Sequence, residues 1–329
     1  MLNLRYNYNF CDISLIPRYI SSIKSRDDIK IEVDFAGIKL TNPILGSPMK
    51  DVCHGEMALQ LYKLGGLGII HRFMRIEEQI TEHTKCSEDF KQRPCGCAIG
   101  INGDYLERFE ELNKRGCKIF CIDVANGANT EVVKVVDQLV KKDPSISIIV
   151  GNVASKECFE WLQDYPQICG IRVGIATGRG CSTKDATGIC SGQVTSILEC
   201  AKIKKPGVAL IADGGIKSPS DYCKALALGA DVVMLGSLIA HTKESPAEII
   251  NQNGHLYKVY NGSASFNIQK EYRITPKYIE GKTVMLDYDG ETIENLVNRL
   301  NDGLRSSMSY MGARTLEEYR ANINFNINV

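Results

Sequence analysis

One cysteine stands in a glycine-rich loop between two basic residues, a setting suited to nucleophilic chemistry. Cys181 follows Gly178 and Gly180, and it is flanked by Arg179 and Lys184. Nearby positive charge favours the thiolate, which is the nucleophilic form of cysteine. The loop therefore predicts a reactive thiol at Cys181. A lone cysteine is a weak signal by itself, so the alternative is a residue that only packs.

Two further turns have the composition of a phosphate site. The sequence Asp213-Gly214-Gly215 ends one apolar run, and Gly236-Ser237 ends the next. Glycines let backbone N–H groups approach phosphate oxygens, and a serine hydroxyl can donate a further hydrogen bond. We expect a phosphate group at these turns. The alternative is that the glycines only shorten the connection between a strand and a helix.

The elements that position these loops are eight short apolar runs separated by stretches of helical periodicity. The runs occupy residues 42–48, 64–71, 96–101, 118–126, 147–154, 169–176, 208–215 and 230–237. Apolar strands that alternate with helices predict a parallel sheet covered on its outside, and eight such units predict closure. We therefore predict an α/β fold, a (β/α)8 TIM barrel, as a single domain over residues 1–329. An open doubly wound sheet is the alternative.

The barrel prediction assigns places to the remaining segments. The core strands fall within about 42–237, and residues 238–329 are expected to form substrate-covering loops and a C-terminal helical region. The Cys181 loop then follows the sixth strand, and the two glycine turns follow the seventh and eighth. Loops at this end of such barrels carry the active site, and the last two commonly bind phosphate.

Composition narrows the possible partners. Lysine plus arginine and aspartate plus glutamate both total 39, so there is no overall basic field for nucleic acid or an anionic membrane. The first residues lack the pattern of a signal peptide, and we expect a soluble, cytoplasmic protein. Among the 13 cysteines, Cys95 and Cys97 are too close for a zinc half-site. The spacing predicts packing cysteines and no structural metal.

Several motifs together resemble those of the IMP dehydrogenase/GMP reductase family. They are the loop that ends in Cys181-Ser182-Thr183, the segments 213–216 and 229–237, and Glu280-Gly281-Lys282-Thr283-Val284. The likeness extends from Ser47-Pro48-Met49 to residues 310–313, nearly the whole chain. It implies that the Cys181 thiolate adds to C2 of a purine nucleotide, giving a covalent intermediate. Flavin-dependent barrels share the two phosphate loops and remain an alternative.

The resemblance also implies roles for individual residues. The catalytic set is Cys181, Thr183 and Glu280. The substrate site is formed by Ser47, Met49, Asp213, Gly214, Gly215, Gly236, Ser237, Tyr260, Gly262, Ser263, Ala264 and Arg273. The cofactor site is formed by Asp123, Ala125 and Asn126. Backbone carbonyls of Gly178 and Cys181 are expected to hold a monovalent cation, potassium. A homotetramer is the expected assembly.

The second half of the reaction separates the two activities of the family. A reductase expels ammonia from GMP and takes hydride from NADPH or NADH to give IMP, whereas a dehydrogenase oxidises IMP with NAD to XMP. No regulatory CBS insertion follows the second strand, and the segment from Glu280 resembles the reductase signature. Glu280 and Thr183 would then manage the proton on departing ammonia. The short connection between Ser265 and Glu280 leaves little room for the dehydrogenase's mobile Arg-Tyr flap.

We therefore predict a GMP reductase that acts in purine nucleotide salvage. The alternatives are a CBS-less IMP dehydrogenase, a related purine-nucleotide oxidoreductase, or a nucleotide-binding barrel that has lost activity. Four residues depart from the family pattern, namely Lys50, Ala176, Arg179 and Ser263. Because Arg179 stands where the family has a phosphate-contacting serine, we hypothesise that it replaces the potassium ion or recognises a different phosphate pattern.

Overall fold

The eight apolar runs form a closed parallel barrel in a computed structural model that describes residues 6–87, 95–272 and 275–328. The strands are β1 Ile13–Leu15, β2 Val33–Phe35, β3 Ile38–Leu40, β4 Ile44–Gly46, β5 Leu67–Ile70, β6 Cys95–Ile99, β7 Ile119–Asp123, β8 Ser147–Val153, β9 Ile168–Val173, β10 Ala209–Asp213, β11 Val232–Leu235, β12 Ile249–Gln252, β13 His255–Asn261, β14 Thr283–Asp287 and β15 Phe325–Ile327. The barrel runs from β4 to β11 and closes where β11 pairs with β4. The predicted (β/α)8 barrel is confirmed, and the open doubly wound alternative is wrong.

Helices connect the strands, and the longer ones cover the outside of this barrel. They are α1 Gly55–Lys63, α2 Ile76–Ser87, α3 Tyr105–Lys114, α4 Thr130–Lys142, α5 Lys156–Leu162, α6 Thr183–Thr187, α7 Gln193–Ala201, α8 Pro219–Ala227, α9 Ser237–Ala240, α10 Phe266–Tyr272, α11 Ile293–Tyr310 and α12 Leu316–Ala321. In α4, Val132, Val136 and Leu139 share one buried face, and the Asn129 side chain caps the first turn. This amphipathic pattern explains why the segment is a helix that packs on the sheet.

Three additions to the barrel were not predicted, and one of them is the hairpin of β2 and β3. Strands β12, β13 and β14 form a separate antiparallel sheet between β11 and α11. Strand β1 pairs with β15 from the other end of the chain, with Ile13 opposite Ile327. Within the described part of the chain, no helix combines the length and apolar character needed to span a bilayer.

The hairpin of β2 and β3 seals the N-terminal end of the barrel. Phe35 and Leu40 belong to the same buried cluster as the inward-facing strand residues, which include Leu45, Ile69 and Ile149. Side chains alternate along each strand, so one set fills the barrel and the other meets the helices. The interior is therefore a packed core, and only the opposite end of the barrel is open for a ligand.

We expect Phe35→Ala to lower the free energy of unfolding by about 3–5 kcal/mol, because it removes a buried ring from the base of the barrel. Phe35 is 2% exposed, whereas Tyr19 is 97% exposed. Urea unfolding followed by circular dichroism measures the change, with Tyr19→Ala as the control that should match the parent. Equal stability of the two variants would show that the hairpin does not support the core.

Candidate active site

A cavity of about 780 Å³ opens at the C-terminal end of the barrel strands. Loops that follow seven of the eight strands line it, from β4 through β10, together with residues 260–264 and 277–280. The predicted site residues on its wall are Ser47, Met49, Asp123, Ala125, Gly178, Cys181, Thr183, Asp213, Gly214, Tyr260, Gly262, Ser263, Ala264 and Glu280. Gly215, Gly236, Ser237 and Asn126 are not on the wall, and Arg273 lies outside the described residues.

Cys181 and Thr183 face each other across the start of α6. The Cys181 Sγ lies 3.1 Å from the Thr183 Oγ1, and either atom can act as the donor. Both residues are half-buried, while Arg179 and Lys184 are exposed. A ligand in the cavity can therefore reach a thiol that already has a hydroxyl partner.

The Cys181 loop is bound along its backbone to the segment that carries Glu280. The Ser182 N–H donates to the Glu280 carbonyl at 2.8 Å, and the Lys282 N–H donates to the Gly180 carbonyl at 2.9 Å. A Cβ atom added at Gly262 would lie 2.1 Å from the Gly180 carbonyl oxygen. The junction therefore requires glycine, and it holds the Glu280 backbone beside the reactive loop.

A buried guanidinium forms the floor of the cavity. Arg172 donates from Nη1 to Asp123 Oδ1 at 2.6 Å and from Nε to Asp213 Oδ2 at 2.9 Å. Asn152 Nδ2 donates to the same Asp213 oxygen at 2.8 Å. Burial opposes the charge on Arg172, but Asp213 and Asp123 outweigh it and raise the pKa of the guanidinium well above its usual value.

Sequence reasoning missed Arg172 and Asn152. The segment Ile171-Arg172-Val173 has the composition of a buried apolar strand except for one charge. A charged residue within a barrel strand must face a partner, because an unpaired buried charge is strongly unfavourable. The one charged residue in this apolar segment was therefore the sequence signal for a buried ion pair.

The turn after β10 has the backbone that a phosphate-binding loop requires. Gly214 and Gly215 have φ values of 85° and 79°, a region that residues with a Cβ rarely occupy. Thr177 Oγ1 donates to the Asp213 carbonyl at 3.0 Å and fixes the start of the turn. Gly215 lies behind this turn, beside the Phe10 ring.

The Tyr260 side chain separates the turn after β11 from the cavity. Its hydroxyl lies 3.3 Å from the Met49 sulfur, and a Cβ atom added at Gly236 would lie 3.1 Å from the same hydroxyl. Burial raises the pKa of the Tyr260 phenol, which keeps it protonated. Gly236 therefore contacts the site through Tyr260, and Ser237 begins α9 one residue further on.

The sequence of this chain is similar to a known protein family over nearly its whole length. A family model described as "IMP dehydrogenase / GMP reductase domain" matches residues 7–328. The chain belongs to the IMP dehydrogenase/GMP reductase family. It is therefore an oxidoreductase barrel of purine nucleotide metabolism that uses a nicotinamide cofactor.

The similar proteins include both IMP dehydrogenases and GMP reductases. The chain is 32% identical to inosine-5'-monophosphate dehydrogenase of Borreliella burgdorferi, over 96% of this chain and 92% of the relative. It is also 32% identical to the dehydrogenase of Cryptosporidium parvum, over 96% and 90%. It is 31% identical to GMP reductase of Ligilactobacillus salivarius, over 94% and 93%. Identity alone does not separate the two activities.

The cavity extends towards the ends of β5 to β7. Arg72, Phe73 and two of the predicted cofactor residues, Asp123 and Ala125, line this part. Arg72 lies over the Phe73 ring, 4.9 Å from its centroid, and donates to the Asp123 carbonyl at 3.3 Å. Ala125 is exposed on the wall, whereas Asn126 folds back and accepts the Ala128 N–H at 3.1 Å. This part of the cavity could hold a flat ring between Arg72 and the Cys181 loop.

The positions that depart from the family pattern occupy different places. Lys50 forms an ion pair with Glu271 outside the cavity wall, and Ser263 lines the wall. Arg179 is exposed and is not on the wall. Ala176 has a φ of 62°, which explains why the family has glycine there.

We expect Arg172→Met to lower the free energy of unfolding by about 3–5 kcal/mol, because it leaves the buried Asp213 carboxylate without its counter-ion and leaves Asp123 to the more distant Arg72 guanidinium, 3.9 Å away. Urea unfolding of the purified variant measures the loss. The triple variant Arg172→Met, Asp123→Asn, Asp213→Asn should recover part of it, since its floor carries no unpaired charge. Stability of the single variant within about 0.5 kcal/mol of the parent would contradict the pairing.

We expect Ala176→Gly to raise the free energy of unfolding by about 0.5–1 kcal/mol, because glycine relieves a left-handed backbone strain of about 1–2 kcal/mol and gives up part of that gain in chain entropy. The same urea titration measures it. The matched control is Ala186→Gly in α6, which should lose stability because its site is an exposed helical one. A loss at Ala176 similar to that at Ala186 would remove the strain argument.

Proposed function

We propose that this protein is a GMP reductase, which converts GMP to IMP and ammonia with a reduced nicotinamide cofactor. The observation that carries the proposal is the backbone pairing between the Cys181 loop and the Glu280 segment. This pairing brings the Glu280 backbone to the Cys181 loop; Glu280 and Thr183 both line the cavity, and the Thr183 hydroxyl lies 3.1 Å from the thiol. A nucleophile next to a proton relay is what displacement of an amine requires.

The proposed reaction begins with the Cys181 thiolate forming a bond to purine C2. The bond between C2 and the exocyclic nitrogen then breaks, and ammonia leaves with a proton delivered from Glu280 through the Thr183 hydroxyl. A bound reduced nicotinamide would supply a hydride for C2. The C2–S bond then breaks, which restores the thiolate and releases IMP. In sum, GMP, NADPH and two protons give IMP, NADP⁺ and ammonium.

In the proposed pose, the purine and the phosphate of the nucleotide occupy different parts of the cavity. The purine lies against Gly262, Ser263 and Ala264, with C2 directed to Cys181. The phosphate lies at the backbone turn that begins at Gly214, beside Ser47. The nearest carboxylate of the floor, Asp213, is neutralised by its ion pair with Arg172, which weakens its repulsion of a phosphate.

Two observations support the reductase over the dehydrogenase. The alignments to the dehydrogenases run over 379 and 372 positions, beyond the 329 residues of this chain, whereas the alignment to the salivarius reductase runs over 314. These two dehydrogenases therefore carry segments within the aligned region that this chain lacks. In addition, the Glu280 N–H donates to the Ala264 carbonyl at 3.2 Å, which ties the Glu280 segment to the proposed purine loop.

The proposal includes NADPH as the hydride donor, bound in the part of the cavity that Arg72, Asp123 and Ala125 line. It also includes a potassium ion held by carbonyls of the Cys181 loop. The Gly178 carbonyl already accepts the Cys181 N–H at 3.1 Å, so the ion would use its second lone pair. A homotetramer and a cytoplasmic location complete the proposal.

Absorbance at 340 nm with NADPH and GMP tests the activity, and we expect it to fall with time. Cys181→Ala should abolish the change. Glu280→Gln should lower kcat by about 10²–10⁴-fold with little change in KM, because it removes a proton donor and no binding surface. The control is Glu248→Gln, an exposed carboxylate outside the cavity, which should match the parent.

Two other outcomes would replace the proposal. An increase in absorbance with IMP and NAD would identify a dehydrogenase. Binding of GMP by calorimetry, without turnover under either condition, would identify a nucleotide-binding barrel that has lost activity.

A further inference from the structure

A sulfur-rich cluster lies in the layer between the barrel and helix α2, away from the cavity. One face of α2 buries Gln79, His83 and Cys86. The outward side of β6 carries Cys97, and Cys117 stands two residues before β7. A ring nitrogen of His83 and the sulfur atoms of Cys97 and Cys117 all lie within 4.8 Å of one another. The three side chains are 2%, 0% and 1% exposed.

The thiols of this layer are paired with one another. Cys97 is hydrogen-bonded to Cys117, and Cys95 to Cys86. The sulfur atoms of Cys97 and Cys117 and a ring nitrogen of His83 therefore form one compact group in this layer.

The imidazole is the member of the layer that packing does not explain. His83 is almost completely buried, and its Nδ1 has no hydrogen-bond partner among residues 6–87, 95–272 and 275–328. An unsatisfied buried nitrogen costs about 1–3 kcal/mol. Free cysteine behaves as a small hydrophobe and needs no ligand, but an imidazole between two thiols does not fit that description.

We propose that His83, Cys97 and Cys117 form a buried binding site for a thiophilic metal ion, either Zn²⁺ or Cu⁺. Thiolate and imidazole are the donors that both ions prefer. Sulfur atoms bound to one tetrahedral zinc lie about 3.8 Å apart for Zn–S bonds of about 2.3 Å. The observed separations exceed this by about 1 Å or less, which rotation of the side chains can close.

The binding step releases two protons, one from each thiol, and the imidazole binds in its neutral form. With Zn²⁺ the two thiolates and the ion have no net charge, and with Cu⁺ the site carries one negative charge. A four-coordinate zinc site would need one further ligand beside these three, whereas Cu⁺ would need only the three.

The metal can be tested on the full chain, in a Cys181→Ala background that removes the active-site thiol. Protein kept anaerobic with a non-thiol reductant is loaded with Zn²⁺ or with Cu⁺, dialysed against a weak chelator, and assayed for bound metal and thermal midpoint. We expect one ion per chain and a higher Tm with one of the two metals. The double variant Cys97→Ala, Cys117→Ala should lose both effects.

The matched control is Cys200→Ala, which removes an equally buried thiol from α7, outside the cluster. It should keep the metal and the Tm shift. Metal content that is equal in the parent and the double variant would overturn the proposal. If the double variant does not fold, a Co²⁺ titration of the parent decides. A thiolate-to-cobalt charge-transfer band that saturates at one equivalent supports the site, and its absence overturns it.

Discussion

The bridge from Arg172 to Asp123 and Asp213 is the interaction on which the site depends. The guanidinium is on β9, its two carboxylates are at the ends of β7 and β10, and Asn152 joins from β8. Four neighbouring strands therefore end in one buried polar network. Removing one partner from such a network leaves a charge without compensation, so the floor of the cavity has a fixed position. The Cys181 loop leaves β9 directly above that floor.

The barrel alone does not place the reactive thiol. A second constraint comes from a segment about a hundred residues later, where Glu280 and Lys282 pair with the Cys181 loop. Strand β14 begins immediately after this contact, and its first residue, Thr283, pairs with Asn261 at the end of β13. The small sheet of β12, β13 and β14 thereby joins the loop that follows Asn261 to the Glu280 segment. Positioning of this kind is where much of a catalytic barrier can be lowered.

The eight barrel strands could be predicted because parallel strands buried on both faces leave an apolar signature in the sequence. The hairpin of β2 and β3 and the pairing of β1 with β15 could not, since these strands are three residues long and one pairing joins opposite ends of the chain. Glu280 became a candidate only through family resemblance, because alone it looks like a solvated charge. Gly236 was expected on the wall, but sequence cannot show that Tyr260 lies between it and the cavity.

The cysteines also show that sequence spacing cannot reveal residues that only the fold brings together. Ligand spacing rules apply to sites built within one loop or hairpin, and by those rules Cys95 and Cys97 predicted no metal. The barrel instead sets the outward positions of β6 against one face of α2, which joins residues that no spacing rule connects. Apolar packing accounts for the thiols but would favour leucine over His83, whose Nδ1 is left unpartnered in the described chain. Metal coordination would give the buried imidazole and the two thiols beside it one common physical reason.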